Sequence, residues 1–162
     1  MNLDLTNKHA VVCGSTQGIG LASAIEIAEL GASVTLVARN EEKLQQAVNQ
    51  LDASKGQQHR YVVADFSDPN GLKDKVAAHI AANGAAHILV NNTGGPPGGP
   101  AIDAATDEFT QAFSNHLVCN HNLVLCVKLV TLIVHLSIKA FYRISLTGIE
   151  LRLCITLCSV KL

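Results

Sequence analysis

The sequence has no C-x-x-C pair, no long run of like charges and no apolar segment at its N-terminus, and beyond residue 120 it holds a single glycine and no proline. Each absence excludes something. Five cysteines without paired spacing, at Cys13, Cys119, Cys126, Cys154 and Cys158, suit free thiols better than a disulfide framework. Met1 to Lys8 is polar and lacks the apolar core of a signal peptide, so the expected location is cytoplasmic. A net charge of −1 without clustered Lys and Arg argues against a dedicated nucleic-acid binder, whose phosphate contacts need such clusters. The chain of 162 residues is the size of one ordinary domain, and small molecules or proteins are its expected partners.

Charge divides unevenly along the chain. Residues 1–120 hold 7 Lys+Arg against 12 Asp+Glu, a balance of −5, whereas residues 121–162 hold 5 against 1, a balance of +4. Leu, Ile and Val make up 20 of those last 42 residues, and Gly148 is their one glycine. The expected organisation is therefore a folded part over 1–120 and an aberrant apolar tail over 121–162. A shifted reading frame near residues 120–125 is the simplest account of so abrupt a change. The apolar stretch Leu123 to Ile138 is broken by Lys128 and His135 and falls short of the roughly 20 residues of a spanning helix, which argues against a membrane segment. Tyr142 to Leu146 and the alternating Ile149 to Leu157 read as a β-hairpin about Thr147-Gly148.

From Lys8 to Asn92, strand and helix patterns alternate with short connections, as in βαβ units. Strands are expected over His9 to Cys13, Ser33 to Ala38, Arg60 to Ala64 and His87 to Val90. Helices are expected over Gly18 to Leu30 with Ile19, Ala22 and Ile25 or Ala28 inward, Glu41 to Ala53 capped by Asn40, and Pro69 to Asn83. Right-handed crossovers order the first three strands 3-2-1 and place the fourth beside the first, so the fold class is α/β, a Rossmann-type doubly wound parallel sheet truncated after its fourth strand with an atypical C-terminal tail. Gly94 to Pro100 must be a loop, after which Asp103 or Thr106 caps a helix running through Phe109, Ala112, Phe113 and Leu117.

Three signals fall at the ends of these strands. Gly14-x-x-x-Gly18-x-Gly20 follows the first strand and opens a helix, where bare amides and the helix dipole suit a phosphate. Asp65-Phe66 follows the third strand, and Asn91-Asn92-Thr93-Gly94 follows the fourth. In this order they resemble the short-chain dehydrogenase/reductase family over residues 5–120, with Cys13 replacing a threonine and Thr93 an alanine of the family pattern. The wording of Ser33 to Leu44 is closest to reductases of the 3-oxoacyl carrier-protein type.

The resemblance implies a nicotinamide dinucleotide cofactor and roles by position. Gly14 permits the tight turn, Gly18 lets the pyrophosphate approach and Gly20 lets the helix pack closely; Ser15 and Gln17 line the loop, and Ile19 sits on the nicotinamide side. Asp65 receives the adenine amino group, beside Phe66, and Asn91, Asn92, Thr93 and Gly94 shape the wall near the inner ribose. At the end of the second strand Ala38-Arg39 offers a guanidinium and no acid, which favours NADP over NAD because the fork suits a 2′-phosphate. Family members commonly associate through the helix after the fourth strand, so a homo-oligomer is an implication of the resemblance alone.

The family's proton donor is a tyrosine in Y-x-x-x-K, and none exists here: Tyr61 is followed four residues on by Asp65, and Tyr142 by Leu146. No catalytic residue is therefore assigned, although alignment on Phe109 brings His116 to a position the family gives to asparagine. Three readings stay open: a cofactor-binding chain inactive alone, an active oxidoreductase with a non-standard acid, and a non-enzymatic binding protein. A metal site at His116, Cys119, His121 and Cys126 is not expected, since a helix scatters them and the spacing matches no zinc motif.

Overall fold

The computed structural model describes residues 3–95, 98–100 and 102–127, together with the strand backbones at 142–146 and 149–153. Four strands, β1 (His9–Cys13), β2 (Ser33–Ala38), β3 (Arg60–Val63) and β4 (Ile88–Val90), form one parallel sheet in the order β3-β2-β1-β4. Helices α1 (Gly18–Glu29), α2 (Glu41–Val48) and α3 (Pro69–Asn83) make the crossovers, and α4 (Thr106–Phe113) follows β4. This is the expected Rossmann-type arrangement, with the reversal of strand order between β1 and β4.

The core has two layers because side chains alternate across each strand. Ala10 and Val12 of β1 face α1 and α2 together with Val34, Leu36, Ala24, Ala28 and Leu44. Val11 and Cys13 face the other way, toward Leu72 and Val76 of α3. After α4 the backbone makes a π-helical turn at Ser114–Val118 and continues as α5 (Cys119–Cys126). Cys119, Leu123 and Val127 are buried in this second layer, so its packing runs on past residue 120.

Local chemistry accounts for most of the boundaries. Asn40 caps α2 by accepting from the Lys43 amide at 2.8 Å, and Asp68 caps α3 by accepting from Gly71 at 3.0 Å. Gly31, with φ of 102°, ends the first crossover helix in a conformation a side chain rarely adopts.

Three expectations need correction. On α1 Ala28 is buried as expected and Ile25 packs against the core, but Ala22 is exposed and Ile19 is 56% exposed, and the remaining buried positions are Gly20 and Ala24. Helix α2 stops at Val48, and Leu51 reaches the core from a tight turn whose amide donates to the Val48 carbonyl. Neither Asp103 nor Thr106 caps α4: its N-cap is Ala105, whose amide donates to Glu108 Oε2 at 3.1 Å. The helical run does pass through Phe109, Ala112, Phe113 and, in the π-helical turn, Leu117; of these Ala112 is buried and the other three are exposed.

Strands β5 (Tyr142–Leu146) and β6 (Ile149–Leu153) pair antiparallel as a separate two-stranded sheet. The reading of Leu123 to Ile138 that rests on Lys128 and His135 falls largely outside the described residues. Among the described residues, no helix is long and apolar enough to cross a membrane.

Candidate functional site

The carboxyl ends of all four strands bring the predicted residues to one edge. Gly14 leaves β1 with φ of 56° and its amide donates to Val37 O at 2.9 Å, which turns the chain sharply over the sheet. A Cβ on Gly14 would lie 2.6 Å from the Asn92 carbonyl oxygen, and one on Gly20 would collide with the Gly14 carbonyl oxygen. Both glycines are thus required by close packing. Gly18 differs: it has φ of 58°, is exposed, and a Cβ there would meet nothing within 4 Å. Its bare backbone therefore faces open space at the start of α1. Gln17, at the N-cap, makes no side-chain cap, in contrast to the capped α2 and α3, and no acid stands in the first turn, in contrast to α2. A first turn without an acceptor of its own fits an incoming anion.

The loop is held from β4. Asn92 Nδ2 donates to the carbonyls of Cys13 at 3.2 Å and Gly14 at 3.1 Å, tying the loop after the fourth strand to the glycine turn. Asn91 and Ser15 are buried, and neither the Asn91 amide nor Ser15 Oγ has a hydrogen-bond partner. Leaving such groups unmet costs about 1–3 kcal/mol each, the kind of debt carried at ligand sites. Thr93 is half-buried beside them and Gly94 is exposed at the rim.

On the other side of β1, Arg39 is exposed at the end of β2 and Asp65 is half-buried after β3. The Asp65 carboxyl is held below the ordinary carboxylate value, first because the Ser67 amide donates to it at 2.9 Å; burial opposes this, and the Ser67 side chain and the Arg39 charge add to it. Asp65 and Arg39 thus stand close enough to interact across neighbouring strand ends. Asp65 does not cap α3, since Asp68 does. Phe66 contributes its carbonyl to the Cys119 thiol at 3.1 Å, joining this edge to α5.

One contact was not legible beforehand. Thr93 Oγ1 and His116 Nδ1 lie 2.6 Å apart, linking the rim of the site to the π-helical turn. Burial lowers the His116 pKa, so the ring is mainly neutral at pH 7. The two residues are 23 apart, and only the placement of His116 by alignment on Phe109 pointed toward the site.

Other reactive side chains are committed elsewhere. The Cys13 thiol is buried and pushed up to about 12 by that burial and by Cys119, which leaves it protonated and inert. Tyr61 O–H donates to Glu41 Oε1 at 3.0 Å and accepts from Gln45 at 3.2 Å, on the α2 side of the sheet. His116, Cys119 and Cys126 turn to Thr93, Phe66 and Lys73 respectively, and among the described residues no three His, Cys, Asp or Glu side chains gather as a ligand set.

Comparison with known proteins agrees with this geometry. The family model described as short chain dehydrogenase matches residues 8–133. Glucose 1-dehydrogenase of Gluconobacter oxydans is 36% identical over 102 residues, covering 63% of this chain and 38% of that protein. Very-long-chain 3-oxoacyl-CoA reductase of Anas platyrhynchos is 38% identical over 85 residues, covering 52% and 27%. Among solved structures, L-sorbose reductase of Gluconobacter frateurii, complexed with NADPH and L-sorbose, superposes with a TM-score of 0.72 at 30% identity, covering 79% of this chain and 49% of that one. The chain thus spans half or less of the length of these relatives. With the sheet order, the glycine turn and the Asn91-Asn92 loop all in place, the match over residues 8–133 establishes that the chain belongs to the short chain dehydrogenase family.

Proposed function

We propose that the chain binds a nicotinamide dinucleotide across the carboxyl edge of the sheet, NADP(H) in preference to NAD(H), and that the parent activity of this site is hydride transfer between NADPH and a carbonyl or secondary alcohol. The observation that carries the reading is the uncapped first turn of α1 beside the open backbone at Gly18. When bound, the nicotinamide supplies or accepts the hydride. The chain's own residues bind and orient it: amides of Gln17, Gly18 and Ile19 face the pyrophosphate, the Arg39 guanidinium pairs with a 2′-phosphate, and Asp65 accepts from the adenine amino group. Asn92 holds the glycine turn in shape for this.

We further propose that this chain alone binds without turning over. The sequence has no Tyr-x-x-x-Lys, and the phenol of Tyr61 is held by Glu41 and Gln45. The rival reading, an oxidoreductase with a different acid, is favoured by one observation, the neutral His116 ring set against Thr93 at the rim.

Titration of the full chain with NADPH and with NADH, followed by mixing the NADPH complex with a panel of aldehydes and ketones, tests both parts. Saturable binding at least tenfold tighter for NADPH, without consumption of reduced cofactor, is expected. Absence of binding refutes the first part. Steady oxidation of NADPH that is lost in His116→Ala refutes the second in favour of the rival.

A further inference from the structure

The opposite, amino edge of the sheet carries an unrelated feature. Four of the seven histidines lie there: His9 opens β1, His59 precedes β3, His87 precedes β4, and His79 projects from α3. Two of them, His87 and His59, accept from backbone amides near the starts of β1 and β2. The His9 amide donates to His87 Nδ1 at 3.1 Å, and the His87 amide donates back to the His9 carbonyl at 2.7 Å. The Val34 amide of β2 donates to His59 Nδ1 at 3.2 Å, while His59 Nε2 meets the Asp52 carbonyl at 2.8 Å. Between the other two rings lies the buried Thr35 hydroxyl, 2.8 Å from His9 Nε2 and 3.0 Å from His79 Nε2, with ring centroids 6.4 Å apart.

These contacts specify charge. A ring nitrogen can accept an amide N–H only when it carries no proton, so His59 and His87 fit their places as neutral rings protonated at Nε2. The Thr35 hydroxyl has one proton, which it can give to only one of its two imidazoles. Two cationic rings at this separation would also repel each other. The charged groups acting on His9 and His79 are Arg60 from β3 for both, His87 for His9 and His9 for His79; no carboxylate is among them. Asp52, in the connection before β3, interacts with His59 and Lys55.

We propose that His9 and His79, bridged by the Thr35 hydroxyl, form an acid-sensitive clasp on the amino edge of the sheet, closed while both rings are neutral and opened by protonation in mild acid, which loosens α3 from β1 and β2. Burial holds His9 and His79 below the ordinary histidine value, the backbone of Ala85 and Gly84 opposing it for His9. The unfolded chain therefore takes up protons first as pH falls below about 6.5, and the stability of the closed clasp is present above that pH and lost below it. Each ring that stays neutral in the fold at pH 5.5 raises the unfolding constant about tenfold relative to pH 7.5. Carboxylates titrate below this window and thiols above it.

The test is urea unfolding of the full chain by circular dichroism at pH 7.5 and 5.5, for wild type and for the double variant His9→Gln/His79→Gln, with nitrogen-15 NMR of the imidazoles of the wild type. The wild-type unfolding constant should rise severalfold, and at most about a hundredfold for two rings, between the two pH values, and the double variant should lose most of that rise. A wild-type rise below threefold, or an undiminished rise in the double variant, overturns the proposal. Should the variant fail to fold, the NMR decides: His9 and His79 titrating at the ordinary histidine value overturn it equally.

Discussion

Gly20→Ala is the most discriminating perturbation of the loop, because two effects of opposite sign compete at one position. Gly20 lies in the first turn of α1, and replacing a helical glycine by alanine ordinarily stabilises by about 0.5–1 kcal/mol through the lower entropy of the unfolded chain. Here the added methyl would fall on the Gly14 carbonyl oxygen, and lie 2.6 Å from Asn92 Nδ2 and 2.8 Å from the Gly14 carbonyl carbon. Two of these are backbone atoms that cannot rotate away, so α1 must move off the sheet or the glycine turn must open. Overpacking of this kind costs about 1–3 kcal/mol, which outweighs the propensity gain and leaves a net loss of about 1–2 kcal/mol. The same shift breaks the Asn92 contacts that shape the turn, so NADPH affinity should fall by at least tenfold. Urea unfolding followed by circular dichroism reads the first effect, a suitable probe because the chain has no tryptophan, and calorimetric titration with NADPH reads the second. A variant as stable as wild type that binds NADPH equally well would refute the packing account.

Gly18→Ala should separate the two effects: φ of 58° costs an alanine about 1–2 kcal/mol, but no neighbour lies within 4 Å, so the loss of NADPH affinity seen by titration should exceed what the stability change explains. Asn92→Ala removes donors to the carbonyls of Cys13 and Gly14, and a melt should show a loss of about 1–3 kcal/mol. Arg39→Ala should weaken NADPH binding about tenfold and leave NADH binding nearly unchanged, since the guanidinium is expected to meet only the 2′-phosphate. In alkylation at pH 8 followed by mass spectrometry, Cys13, buried with a thiol pushed up to about 12, should stay unmodified in the native chain and react after unfolding in urea, whereas the half-buried Cys126 should react before Cys13 and Cys119.

Much of the sheet was legible because its signals are local. The strands His9–Cys13 and Ser33–Ala38 and the helix Pro69–Asn83 have the expected bounds, since apolar runs, Pro69 and the Asn83-Gly84 stop act within a few residues. The α1 face was misjudged because hydrophobicity points Ile19 inward, whereas close packing of helix on sheet demands the smallest side chains, Gly20, Ala24 and Ala28. The cap of α4 was misplaced because Glu108 reaches back to the Ala105 amide from within the helix, a pattern that Asp103 and Thr106 obscured. At the site, each predicted residue can be placed on the carboxyl edge by its position after a strand. The pairing of Thr93 with His116 and the histidine clasp depend on contacts between residues 23 to 44 apart, which no local pattern encodes.

The central claim is that the glycine turn and the start of α1 receive a nicotinamide dinucleotide phosphate. The most direct measurement is the amide NMR spectrum of the full chain during titration with NADPH. The account predicts saturable shifts concentrated at Gly14, Ser15, Gln17, Gly18, Ile19, Gly20 and Arg39, with little change at His59 and His87 on the far edge. Shifts centred on the amino edge, or none at millimolar NADPH, would contradict it.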